Sequence, residues 1–273
     1  MRNILSVDLE DWFHVYNLRD AIPAATWSRC ESRVVGNTQR LLELFRRRGV
    51  HATFFVLGWV AERFPDLVHA LEAGGHEVAS HGYGHRLVTQ MTPIEFEADL
   101  KESVSILRSL ASQPVRGFRA PSFSITRRCE WAYDVLARQG IVYCSSVFPI
   151  GFHPDYGIRD APLVPYRTAS GVLEIPMGCA EFLGKRIPCS GGGYFRLLPY
   201  MATRALIRSC NSAGRSVVFY LHPWEIDPDQ PRVSLPASKA FRHYNNLHKT
   251  YGRLERLLGD FEFGTLSSVV STQ

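Results

Sequence analysis

The segment Ser80-His81-Gly82-Tyr83-Gly84-His85 places two imidazoles four residues apart, directly after an apolar run. In a helical turn, side chains at i and i+4 project to one side and can share a divalent metal. A catalytic metal needs a third protein ligand and an open position for water. The string Asp8-Leu9-Glu10-Asp11 can supply a carboxylate. On the blander reading, the histidines are ordinary loop residues and the acids cap a turn. Placement favours chemistry, because three carboxylates crowd the end of an apolar run, where unpaired charge is expensive unless it meets a cation or a proton. Asp8 and Glu10 share one strand face, and Asp11 lies just beyond. Arg119, in Gly117-Phe118-Arg119-Ala120-Pro121-Ser122, and His222, in Tyr220-Leu221-His222-Pro223-Trp224-Glu225, follow two further apolar runs. Arg119 serves either as a salt bridge to a helix or as the cation that keeps a carboxylate ionised. His222 is either a core histidine or a general acid.

These side chains must be brought together by the elements around them. Strand patterns fall at about 4–7, 52–57, 76–79, 115–118, 141–145, 172–175 and 217–221. Helical patterns fall at 34–48, about 60–73, 92–110, 127–138 and about 199–213. Thr92 and Glu95 form a capping-box signature with Pro93 at the first helical position. A last amphipathic helix is expected over 238–259, where Phe241, Tyr244, Leu247, Tyr251, Leu254, Leu257 and Leu258 recur every three or four residues. The repeated β-α alternation implies an α/β protein with parallel strands and helices outside, as an open sheet or a barrel. Both architectures gather functional residues at the carboxyl ends of strands. The chemically able residues indeed follow the apolar runs. From 147 to 195 the periodicity is lost, and a segment this long reads as a structured excursion over a site.

Composition narrows the classes. The chain has 273 residues, 45% hydrophobic and 12% aromatic, enough for a generous core without disulfides. With 31 basic and 26 acidic residues the net charge is +5, and no nucleic-acid partner is expected. Six cysteines occur without a C-x-x-C pair. No apolar run is long enough for a signal peptide or a membrane span, which makes the cytoplasm the default expectation.

The ordered series of an acidic motif after the first strand, H-x-x-x-H, R-x-P and L-x-H resembles the NodB-homology polysaccharide deacetylases, carbohydrate esterase family four. The strings Val7-Asp8-Leu9-Glu10-Asp11-Trp12-Phe13, Gly192-Gly193-Tyr194-Phe195-Arg196 and His222-Pro223-Trp224-Glu225-Ile226-Asp227-Pro228 resemble the branch found beside exosortase and exopolysaccharide export loci. The resemblance implies a distorted (β/α) barrel of about seven strands in one domain spanning 1–273, with about 200–273 as a branch-specific C-terminal extension. It implies a hydrolase that removes N-acetyl groups from N-acetylhexosamine units of a polysaccharide or its lipid-linked precursor. The alternatives are a non-catalytic carbohydrate-binding barrel and a cyclic-amide or ureide hydrolase of the same fold.

Carried onto this chain, the resemblance assigns Asp8 as catalytic base, Arg119 as its orienting partner and His222 as general acid. His81 and His85 become metal ligands. Leu9 stands where the family has a second aspartate, so the third ligand falls to Asp11, with Glu10 as the alternative. Tyr83, Ser122, Tyr194 and Trp224 are expected to contact substrate, with backbone N–H groups near Ser122 or Tyr83 holding the oxyanion. His14 and His153 are candidates for the site rim. The implied cofactor is a divalent metal, zinc first, then cobalt, nickel or manganese. The implied partners are an N-acetylated glycan and, peripherally, the membrane export machinery at the inner membrane face. Relatives in this branch often read Tyr-Asp-Ser-Ser where this chain reads Tyr143-Cys144-Ser145-Ser146, so an acid that tunes the catalytic histidine is expected to be missing or displaced.

Overall fold

In the computed structural model, which describes residues 1–151 and 156–270, the strands are β1 (Asn3–Leu9), β2 (Thr53–Val56), β3 (Glu77–Ser80), β4 (Gly117–Phe118), β5 (Tyr143–Cys144), β6 (Tyr166–Arg167), β7 (Leu173–Glu174), β8 (Cys179–Phe182), β9 (Lys185–Pro188), β10 (Val218–Leu221) and β11 (Phe263–Gly264). The main sheet runs β10-β1-β2-β3-β4-β5-β7-β6, with β11 added on β1. From β10 through to β7 every pairing is parallel, and β6 joins antiparallel. This curled parallel sheet is the expected distorted barrel. β8 and β9 form a separate hairpin. The chain from Met177 to Gly191 bridges the gap beside β10: Met177 N–H donates to Val147 O at 2.9 Å and Tyr220 N–H to Ser190 O at 2.6 Å. At Gly191, with φ +116°, a Cβ would meet Tyr220 O at 1.9 Å, so this seam admits only glycine.

Successive strand side chains alternate between the two sheet faces. Leu5, Val7, Leu9, Phe54, Val56, Phe219 and Leu221 point outward into the main core. The opposite parity points inward, where Ile4, Phe55, Ala79, Tyr143, Val218 and Tyr220 pack together. Continuing that inward parity past the strand ends gives Asp8 and Glu10, His81, Arg119, Ser145 and His222. The fold therefore delivers its polar residues to one mouth by alternation alone.

The helices are α1 (Val34–Arg48), α2 (Gly58–Arg63), α3 (Pro65–Ala73), α4 (Pro93–Leu110), α5 (Ala132–Arg138), α6 (Gly192–Leu197), α7 (Tyr200–Ser212), α8 (Ala237–Tyr244), α9 (Leu247–Asp260) and α10 (Ser267–Val270). The capping box of α4 forms: Glu95 N–H donates to Thr92 Oγ1 at 3.3 Å and Thr92 N–H to Glu95 Oε2 at 2.8 Å. The helix expected over 127–138 is α-helical only from Ala132, and two other expected helices are each divided. Pro65 keeps Phe64 out of the helical region, at φ −132°, and separates α2 from α3. The pattern over 238–259 breaks at Asn245–Asn246, where Asn246 adopts φ +55° and α9 begins in a new direction. Among the described residues no helix is long and apolar enough to cross a membrane.

His76, at the entrance to β3, accepts a hydrogen bond from Ala52 N–H at 3.1 Å. Burial, with a smaller contribution from His51, lowers its pKa from 6.5 to about 4. The neutral ring is thus preferred in the fold, and its stabilising contribution is present above pH 6.5 and lost as pH falls towards 4. His76→Gln, which keeps an acceptor without the titration, is expected to flatten the fall of Tm between those pH values. A curve as steep as the wild type's would assign the acid sensitivity elsewhere.

Candidate active site

Asp8 and Arg119 meet across the barrel, Nη1 to Oδ1 at 2.6 Å. Arg119 is 0% exposed. Its remaining donors are used: Nη1 also to Ser6 Oγ at 2.9 Å, Nε to Ser145 O at 2.9 Å and Nη2 to Ser145 Oγ at 3.1 Å. The guanidinium lies over the Phe55 ring, 4.1 Å from its centroid. A buried charge is tolerated when it is paired and its donors are satisfied, and this one meets both conditions.

The H-x-x-x-H segment is not helical. It is a loop after β3, bent at Gly82 (φ +75°) and at His85 (φ +50°). Asp99 of α4 holds it, accepting from Tyr83 N–H at 2.8 Å and Gly84 N–H at 3.0 Å. A Cβ at Gly82 would meet that carboxylate at 2.8 Å. His81 Nδ1 donates to Arg119 O at 2.8 Å, which leaves Nε2 as the lone-pair nitrogen. Burial, aided by His85 and opposed by Asp8 and Glu10, lowers the His81 pKa to about 4 and keeps the ring neutral. Burial opposes the Glu10 charge, but His85 and His222 outweigh it and hold this carboxylate well below its ordinary range.

Ligand atoms of Glu10, His81 and His85 all lie within 4.8 Å of one another. Glu10 Oε2 stands 2.7 Å from His85 Nε2, yet it is a buried oxygen without a hydrogen-bond partner among the described residues. Two imidazoles and an orphaned carboxylate oxygen are a donor set that suits a divalent cation such as zinc.

Asp11, the first-choice third ligand, is not part of this group. Its Oδ2 accepts from Ser32 Oγ at 2.6 Å, Arg33 N–H at 2.9 Å and Val34 N–H at 3.1 Å, and its Oδ1 accepts from Trp12 N–H at 2.9 Å. The reason is parity: Asp11 follows Glu10 by one residue and falls on the other side of the chain, where it caps the entry to α1. Glu10, the alternative, is the carboxylate beside the histidines.

His222 follows β10 with Nε2 at 3.5 Å from Glu10 Oε1 and 3.8 Å from Asp8 Oδ2. Its Nδ1 donates to Glu225 Oε1 at 2.8 Å, and Glu225 Oε2 accepts from Arg196 Nε at 2.7 Å. Desolvation favours the neutral ring, but the Glu225 hydrogen bond and the charges of Glu10, Glu225 and Asp8 raise the His222 pKa to about 9. Glu225 and Arg196 carry no role in the reading of the sequence. A signal for Glu225 existed: Pro223 opens a tight turn, and a glutamate three residues after the preceding His222 can reach back to it, as in a capping box.

The mouth opens into a cleft lined by Ser122 and Tyr194, together with Tyr156, Gly193, Phe241 and Arg242. Trp224 also borders the cleft, but it is buried: its ring stacks on His222 at 5.2 Å and Nε1 donates to Glu10 Oε1 at 3.2 Å. Tyr83 is turned away. Its hydroxyl donates to Glu62 at 3.0 Å and its N–H is taken by Asp99, so neither is free for substrate or an oxyanion. His14 is interior, edge-on to Trp27 and Trp59. His153 lies outside the described residues. Cys144 points outward into the cluster beneath α5, not towards His222, and the histidine's acid is Glu225.

Residues 22–141 match the family "Polysaccharide deacetylase" and residues 145–271 match a domain of unknown function, DUF3473. The first segment holds His81, His85 and Arg119, and the second holds Arg196, His222 and Glu225. Among curated relatives, a peptidoglycan deacetylase of Helicobacter pylori is 31% identical over 117 residues, 43% of this chain and 39% of that protein. A chitooligosaccharide deacetylase of Bradyrhizobium is 34% identical over 101 residues, 37% of this chain and 43% of that protein. The chain thus spans less than half the length of these relatives. In fold it is similar to a Mycobacterium smegmatis protein assigned as a polysaccharide deacetylase, with TM-score 0.61 at 18% identity, covering 100% of this chain and 91% of that one. It is also similar to a CE4 family pseudoenzyme of Bacillus anthracis, with TM-score 0.50 at 12% identity, covering 98% and 65%.

Proposed function

We propose that the chain, whose residues 22–141 match the polysaccharide deacetylase family, is a metal-dependent hydrolase that removes N-acetyl groups from N-acetylhexosamine units of a polysaccharide or its lipid-linked precursor. One observation carries the reading: the paired Asp8, the Glu10, His81 and His85 group and the charged His222 converge at one cleft. A non-catalytic binding barrel has no need of that convergence. We further propose that residues 1–273 work as one domain, because β10 of the second matched segment pairs with β1 and sets His222 beside Asp8.

Glu10, His81 and His85 would hold the ion, with zinc the best chemical match. A divalent ion in such a site supplies Lewis-acid polarisation of the amide carbonyl and lowers the pKa of water. Asp8, paired with Arg119, is placed to accept the proton of the attacking water. His222, charged and oriented by Glu225, donates a proton to the departing amine, without which C–N cleavage would expel a poor leaving group. Tyr156 and Tyr194 offer aromatic faces on which sugar rings can stack.

Two measurements test this. Protein supplied with zinc or cobalt should release acetate from N-acetylated amino-sugar oligomers, and His81→Ala should abolish the release; equal background from both proteins refutes the activity on those substrates. Direct metal titration should show Glu10→Gln weakening the affinity by at least about tenfold while Asp11→Asn leaves it near the wild type. The reverse order would restore Asp11 as the ligand.

A further inference from the structure

The hairpin of β8 and β9 ends in the sequence Phe182-Leu183-Gly184-Lys185-Arg186. Its register pairs Phe182 with Lys185, which leaves a two-residue turn of Leu183 and Gly184. Both turn residues have positive φ, +49° and +72°, the arrangement of a type I′ turn. Such turns favour Asn-Gly, because Asn tolerates the left-handed region and leucine does not. Instead of the unstrained polar residue, the tip carries a leucine that is 85% exposed beside a phenylalanine that is 62% exposed. A strained backbone that holds an apolar side chain in water points to a partner for that side chain.

The surroundings identify the chemistry of the partner. Lys185 is exposed and has no carboxylate partner among the described residues. Arg186 is fixed beneath it, donating to Arg159 O at 2.8 Å and Ala161 O at 2.7 Å, which braces the hairpin against the body. Arg159 adds a cation nearby. Among the described residues the acids close by are already matched, Glu181 with Arg215 at 3.3 Å and Asp160 with Arg127 at 2.9 Å. The tip is therefore an apolar point on a basic collar. Apolar side chains enter the acyl boundary of a bilayer while lysine and arginine remain at the anionic headgroups.

We propose that the β8–β9 tip is a membrane anchor that inserts Phe182 and Leu183 into an anionic phospholipid bilayer. It is separate from the catalytic residues and does not depend on the deacetylase reading. One apolar point gives weak, reversible attachment, suited to an enzyme that visits a surface.

The test is sedimentation of the full chain with vesicles of equal parts phosphatidylglycerol and phosphatidylcholine, against phosphatidylcholine alone. The wild type should bind the anionic vesicles, less strongly as salt is raised. Phe182→Ser combined with Leu183→Ser should lose about tenfold or more in affinity, and Lys185→Glu should lose much of the salt dependence. Leu183→Asn is the sharpest variant: it should raise Tm by relieving the turn while weakening vesicle binding. All variants should keep the wild type's acetate release from soluble oligosaccharides, so failure here and failure of the deacetylase reading are distinguishable. Absence of wild-type binding to anionic vesicles, or equal binding by the double serine variant, overturns the proposal. So does a concentration-dependent dimer that the serine variant abolishes, which would make the tip a contact between two copies of the chain.

Discussion

Arg119→Leu is expected to destabilise the protein by about 3–5 kcal/mol and to leave no measurable deacetylation. The guanidinium is fully buried and donates to Ser6, Asp8 and both oxygens of Ser145. Removing it strands the Asp8 carboxylate in a water-poor interior and leaves the Ser145 carbonyl without this donor. Desolvation of an unpaired ion is the largest of these effects. A second substitution separates stability from chemistry. Combining Asp8→Leu with Arg119→Leu removes the stranded charge, so the double variant should recover much of the lost stability and none of the activity. Urea unfolding of the three proteins is the measurement. If the single variant unfolds at the wild-type midpoint, the ion pair is not what holds this part of the barrel.

The second large effect belongs to His222. His222→Gln should reduce acetate release from acetamido sugars by about 10²–10⁴-fold, the range for loss of a positioned acid or base. A general loss of shape would slow every substrate alike. Loss of a proton donor slows amides much more than an activated aryl acetate, whose phenolate departs unaided. Rates on both substrates decide the matter: equal loss on both would remove His222 from the role of acid. Glu225→Gln should produce the same substrate split in milder form. It should also lower Tm, because Arg196 would keep a buried charge without its carboxylate.

Much of this site was legible in the sequence because strand alternation and strand ends govern it. Asp8, His81, Arg119 and His222 are each found at the end of an apolar run, and the structure brings them to one mouth. The same rule separates Glu10 from Asp11, since neighbours on an extended chain face opposite ways. Leaning on the side-chain type of the matching residue led to Asp11, whereas parity led to Glu10. What was not legible depends on contacts distant in sequence. Asp99 grips the histidine loop from α4, Arg196 reaches Glu225 from α6, and Ser145 locks Arg119 from the end of β5. Nothing local in those stretches announces the pairing. The division of the 238–259 pattern at Asn246 was hidden for another reason: two helices that cover the same core can carry one apolar spacing through the bend between them.

The two halves of the proposed catalytic group are fastened differently. His222 and Glu225 sit three residues apart on one short turn, and Trp224 lies against the ring between them. Asp8 and Arg119 belong to β1 and to the end of β4, which are separated in the sheet by β2 and β3. The proposed acid half is a compact cartridge hung on β10 and braced by Arg196 of α6, and the proposed base half is a tie-rod across the barrel. Breathing of the sheet carries the cartridge along unaltered but works directly against the tie-rod. Heat should therefore disable the base side first, while the proton donor and its carboxylate remain assembled in a barrel that has begun to loosen.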